Sequence, residues 1–173
     1  MKKLQTLTLL AALAIGSMTL LNSCAKDLCK DIVCENGGNC VEGDCDCLAG
    51  YEGTSCETEM RTKFIGTYSV TDACVASGYN VQIQTSSAGV TNIVITNFGS
   101  YLCSGEAPNV VAIVNGRDLT IEEQTFCPND AFTIKGTGSI NESGTTITLN
   151  YDGTKPPSEG GGTYNCSVTM NKQ

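Results

Sequence analysis

The chain has 173 residues, with 11 cysteines, 18 acidic and 10 basic side chains, and neither histidine nor tryptophan. Without histidine there is no Ser-His or Cys-His nucleophile pair, no histidine general base and no histidine-bearing zinc site. A net charge of −8 is the wrong sign for gripping a phosphate backbone, so nucleic acid is excluded as an expected partner. The cysteine load points to an oxidising compartment, and its odd total leaves at least one cysteine outside intramolecular pairing.

The chain opens on a basic Met1-Lys2-Lys3, followed by an apolar run from Leu4 to Leu21 interrupted by Gln5, Thr6, Thr8, Ser17 and Thr19. This is the layout of a secretory signal peptide rather than of a permanent span. The run Leu21-Asn22-Ser23-Cys24 resembles the lipobox of bacterial lipoproteins. That resemblance implies removal of residues 1–23, a diacylglycerol thioether on Cys24 and acylation of its new amino group, a palmitate-type anchor. Residues 24–28 then form a lipidated linker. The remaining 150 residues carry 18 acids against 8 bases, and their ten other cysteines are even in number.

Six of those cysteines lie close together with the spacing C-x4-C-x5-C-x4-C-x-C-x8-C: Cys29, Cys34, Cys40, Cys45, Cys47 and Cys56. Leu28, Ile32, Val33, Val41, Leu48 and Tyr51 are too few for a self-sufficient core, so disulfides worth about 2–4 kcal/mol each must supply stability. No C-x2-C pair suggests a thiolate metal site. Spacing alone leaves 15 connectivities open. The segment 29–57 resembles an EGF-like domain, including Asn36-Gly37-Gly38 and the ending C-x-x-G-Y-x-G-x-x-C over Cys47 to Cys56. The resemblance implies the pairs Cys29–Cys40, Cys34–Cys45 and Cys47–Cys56. The acidic cluster of calcium-binding members is missing before Cys29, so Asp27, Asp31, Glu42, Asp44 and Asp46 are expected as solvated surface acids and no metal is expected. Asn39 also stands where O-fucosylated members carry Ser or Thr.

From residue 60 to 173 the composition turns to Thr, Val, Ile, Gly and Asn. Alternation predicts eight strands near 64–73, 79–86, 91–98, 109–115, 118–126, 131–141, 145–152 and 162–171. Each has one apolar and one wet face, the pattern of an antiparallel sheet curled around a single core. The predicted fold class is therefore mostly β, an eight-stranded up-and-down β-barrel after the small module, with a β-sandwich as the alternative. Phe64-Ile65-Gly66-Thr67-Tyr68 resembles the opening G-x-W/Y stretch of lipocalin-like domains.

Tight turns at 86–89, 115–117 and 141–144 alternate with longer connections at 74–78, 99–108, 127–130 and 153–161. In a meander, the long loops then share one end of the barrel and the tight turns share the other. Cys74, Cys103, Cys127 and Cys166 all border long loops. Closure of a barrel makes its first and last strands neighbours, which favours Cys74–Cys166 and leaves Cys103–Cys127. The incoming EGF-like module belongs at the tight-turn end, so the long loops point away from the anchor.

Little here suggests catalysis, and no cofactor is expected. Glu122 and Glu123 are adjacent, so a strand sends them to opposite faces, and Glu123 is expected as a strand-end acid in solvent. Tyr68, Phe132, Tyr151 and Tyr164 share the predicted inner face, as core or as the lining of a cavity. The sequons at Asn141 and Asn165 are expected to be idle in a bacterial lipoprotein. The expected function is a lipid-anchored envelope protein, in the outer membrane, that binds a protein or glycan without catalysis through its loop end. Tyr79, Phe98, Tyr101, Glu106, Asn109, Phe126, Asn129 and Asp130 are the candidate contacts. The alternative is a small hydrophobic ligand in the barrel interior.

Overall fold

The structure is a computed structural model, and it describes residues 26–100, 107–127, 132–155, 157 and 160–173. In the N-terminal module, β1 (Asn39–Val41) pairs with β2 (Asp44–Asp46), and β3 (Tyr51–Glu52) pairs with β4 (Thr58–Glu59). The first hairpin turns through Glu42 and Gly43, both at positive φ (53° and 98°), as a two-residue turn between twisted strands requires. Disulfides link Cys29 to Cys40, Cys34 to Cys45 and Cys47 to Cys56. Leu28, Val33, Val41 and Leu48 remain 50–79% exposed, so cross-links rather than burial hold this module together.

The remaining eight strands are β5 (Gly66–Asp72), β6 (Tyr79–Thr85), β7 (Asn92–Thr96), β8 (Asn109–Asn115), β9 (Asp118–Cys127), β10 (Phe132–Ile140), β11 (Thr146–Lys155) and β12 (Gly162–Lys172). Each pairs antiparallel with the next, and β12 returns to β5 from Val168↔Asp72 to Lys172↔Tyr68. The ring is a closed up-and-down barrel, which rules out the sandwich. Alternation does the sorting: Val110, Ala112 and Val114 on β8, and Cys166, Val168 and Met170 on β12, point in and are buried. Their inward side chains join one core cluster with those of the other strands, each fully buried Val, Ile or Leu contributing about 1.5–3 kcal/mol.

Two strands depart from the predicted bounds for physical reasons. Phe64, expected in the first strand, ends a 3-10 helix, η1 (Met60–Phe64), and is fully buried as a plug in the tight-turn end. Phe98, expected at the end of the third strand, turns off it into η2 (Phe98–Ser100), where Gly99 takes φ 72°. The glycines of β10 permit close approach. A Cβ on Gly136 would lie 2.6 Å from the Asn150 carbonyl of β11, and one on Gly138 would collide with the Thr148 carbonyl.

The pairing of β9 with β10 slips by one residue between Ile121↔Gly136 and Gln124↔Ile134, so β9 carries an extra residue at Glu122–Glu123. Such a bulge changes which face later residues occupy. On its other side β9 pairs with β8 only from Ile113↔Thr120 to Asn115↔Asp118. Beyond that point the Gln124 amide bridges the two strands. Its Oε1 accepts the Val111 N–H (2.9 Å) and its Nε2 donates to the Val111 carbonyl (2.7 Å).

The disulfide-linked N-terminal module is seated on the tight-turn end by specific contacts. The Met60 N–H donates to the Gly50 carbonyl (2.8 Å), and Lys63 pairs with Glu52 (2.8 Å). Arg61 donates from Nη1 to the carbonyls of Ser86, Gly89 and Asn92 (2.9, 2.9 and 3.2 Å) in the β6–β7 turn, and from Nε to Glu59 (2.8 Å). Gly50 faces Val90 and Thr91 so closely that a Cβ would lie 2.6 Å from the valine.

Candidate functional site

The opposite end of the barrel is built around a buried acid. Asp72, the last residue of β5, shares the inward parity of Tyr68 and Val70 and is 5% exposed. An isolated carboxylate there would be costly, and three donors satisfy it. Its Oδ2 accepts the hydroxyls of Tyr79 and Tyr151 (3.0 Å each), and its Oδ1 accepts the Cys74 N–H (2.8 Å). The Tyr79 hydroxyl in turn accepts the Gly99 N–H (3.0 Å). One carboxylate thus ties β5, β6 and β11 to the loop between β7 and β8. Burial, and then the negative charge of Asp72, push both phenols well above their ordinary ionisation range, so both stay protonated donors. Deeper in the barrel the Tyr68 hydroxyl donates to the Phe64 carbonyl (2.9 Å), and burial alone raises it to about 12.

A disulfide joins Cys74 to Cys166, fastening the β5–β6 loop to β12. The two sulfurs lie close to the Asp72 carboxylate, but as a disulfide they offer no thiolate to a metal ion. Beside this bond a pocket of about 300 Å³ opens at the long-loop end. Among the described residues its walls include Phe98, Phe126, Ile134, Tyr151 and Tyr164, with Lys155 at the edge. The Tyr151 ring meets Phe98 edge-on (centroids 5.1 Å apart) and Tyr164 edge-on (6.3 Å). Tyr164 crosses over its strand partner Gly153, where any side chain would collide with its ring. A larger hollow of about 810 Å³ lies across β9 to β12 and is lined by polar groups such as Thr120, Thr137, Asn150 and Ser167.

The structure rearranges the predicted contacts. Phe98 (1% exposed) and Phe126 (7%) are walls of the pocket rather than surface presented to a partner, because both turn inward where their strands end. Tyr79 is half-buried with its hydroxyl committed to Asp72, while Asn109 is exposed at the start of β8, away from the pocket lining. Tyr68, Phe132 and Tyr151 are core, and Tyr164, half-buried, lines the mouth. Below the mouth the inner face is lined by the buried core cluster, and among the described residues the apolar pocket lies at the end of the barrel. The bulge in β9 turns Glu123 outward, 3.9 Å from Lys135. Tyr101, Glu106, Asn129, Asp130, Cys24, Cys103 and the Cys127 side chain lie outside the described residues, and with them the Cys103–Cys127 pair.

No family model matches the chain. The neurogenic locus notch homolog protein of Giardia intestinalis is 32% identical over 112 residues, covering 58% of this chain, while the chain spans 19% of that relative's length. That similarity supports a cysteine-rich, EGF-like module. Among solved structures, a redesigned β-barrel superposes with a TM-score of 0.43 at 14% identity, over 66% of this chain and 95% of its own. A rhizavidin–biotin complex gives a TM-score of 0.41 at 15% identity, over 62% of this chain and 92% of its own.

Asp72, Val75, Ile134 and Lys155 belong to this site or its support and carry no motif. The parity of the first strand does place Asp72 on the inner face, one residue before the predicted end of that strand. Its meaning depends on Tyr79 and Tyr151, which only the folded barrel brings to it.

Proposed function

We propose that the chain is an anchored, non-catalytic binding protein whose working site is the aromatic mouth at the long-loop end, taking a small apolar group. The observation that carries this reading is the 300 Å³ pocket walled by Phe98, Phe126, Tyr151 and Tyr164 at the end of the barrel opposite the EGF-like module. A concave apolar site with few polar groups is the usual form of a small-ligand site. The lipobox-like Leu21-Asn22-Ser23-Cys24 supports a lipid anchor in the bacterial envelope, with outer-membrane placement part of the same proposal. In that arrangement the EGF-like module is a spacer that holds the mouth away from the bilayer. A second reading, contact with a protein through the same loop end, draws on the similarity to the notch homologue.

Fluorescence of the neutral probe N-phenylnaphthylamine tests the site. The full chain should enhance it saturably, and Val75→Trp, which fills the pocket, should abolish the enhancement; enhancement unchanged by that substitution sinks the proposal. Incorporation of a palmitate analogue that depends on Cys24 tests the anchor. Protease access to the long loops on intact cells tests surface display, and full protection rejects it.

A further inference from the structure

Resting on the mouth pocket as the binding site, we infer that its ligand is an apolar carboxylate, a compact alkyl or aryl body whose anionic end is met by Lys155. An inventory of hydrogen-bonding groups at the mouth carries this. Four hydrogen-bond donors at the base are consumed within the protein. The Cys74 N–H goes to the Asp72 carboxylate (2.8 Å), the Val75 N–H to the Asp72 carbonyl (3.2 Å), the Gly99 N–H to Tyr79 (3.0 Å) and the Tyr151 hydroxyl to Asp72 (3.0 Å). Asp72, which would repel an anion or attract a cation, sits behind Tyr151 with three donors on it.

Among the described residues lining the pocket, Lys155 is the sole charged side chain. Its ammonium lies 6.0 Å from the Tyr164 ring centroid and pairs with no described carboxylate. An ammonium offers donors and no acceptor, so the ligand's polar group must accept. An ionised acceptor forms bonds roughly twice as strong as a neutral one. The chain's net charge of −8 opposes an anion at long range, but physiological salt screens such fields beyond about 8 Å, while Lys155 acts at contact. At about 300 Å³ the pocket stands at the lower end of ligand sites, which suits a short body such as an octyl chain rather than a long acyl tail.

Titration calorimetry of the full chain with octanoate, octanol and octylammonium, equal in body and different in end group, tests the inference. Octanoate should bind about tenfold tighter than octanol, as one charge-assisted contact implies, and octylammonium weaker than either. Lys155→Gln should erase the advantage of octanoate while leaving octanol within about twofold, and Lys155→Arg should keep it. Octanol binding as tightly as octanoate, or octylammonium binding tightest, with Val75→Trp blocking each, overturns the carboxylate and leaves the mouth as the site. Binding by none of the three overturns both.

Discussion

The two ends of the barrel solve the same problem, closing a ring of strands, by different chemistry. At the tight-turn end short connections leave little backbone to satisfy, and closure is achieved by a plug, Phe64, and by the Arg61 guanidinium spread over three turn carbonyls. At the long-loop end the β5–β6 and β7–β8 connections are longer. A buried acid, two tyrosines and a disulfide gather them instead, and a pocket remains among the aromatic rings. Filling makes an end inert, whereas tying loops together around a space makes an end that can receive something.

The comparison can be broken most sharply at the plug. Phe64→Ala should cost about 3–5 kcal/mol, the range for emptying a buried aromatic site, read as a lower urea midpoint; a loss under about 1 kcal/mol would show that the end is closed by other means. Removing the other end's staple with Cys74→Ser and Cys166→Ser should cost about 2–4 kcal/mol, the usual worth of a disulfide that closes a long stretch of chain. That loss should come with faster hydrogen exchange at Gly99 and Cys74, but not at the tight-turn end. Arg61→Ala should cost about 2 kcal/mol, because charged donors leave three carbonyls. It should also loosen the EGF-like module, visible as independent tumbling by nuclear relaxation.

The smallest effect lies in alkaline pH. Tyr79 and Tyr151 ionise at higher pH in the folded protein than in the unfolded chain, where phenols titrate near about 10. Their stabilisation is therefore complete below that value and is lost as pH rises from it toward the folded-state values. Stability curves above pH ~10 should fall less steeply in Tyr151→Phe than in the unaltered chain; parallel curves would remove Tyr151 from the linkage.

The barrel itself was readable because its signals are local and repeated. Thr146 to Asp152 alternates without a break, and Asn115-Gly116-Arg117 and the turn at Asn141 to Gly144 sit where the strands must reverse. The EGF-like pairing came from a resemblance carried by whole motifs, and the same three pairs are bonded in the structure. The site was less legible. Phe98 and Phe126 stand at strand ends, where period-two reasoning stops, and their inward turn depends on Gly99 at positive φ and on the irregular course of β9. Lys155 belongs to the site because β11 runs three residues past its predicted end.

Gln124 gives this wall a property that backbone pairing would not. A ladder rung between strands breaks only when two chains move apart. The rung at Val111 is a side-chain amide, and it opens by rotation about the bonds of one glutamine while both strands stay in place. Next to the mouth this rung can therefore open and close on a side-chain timescale, without unfolding.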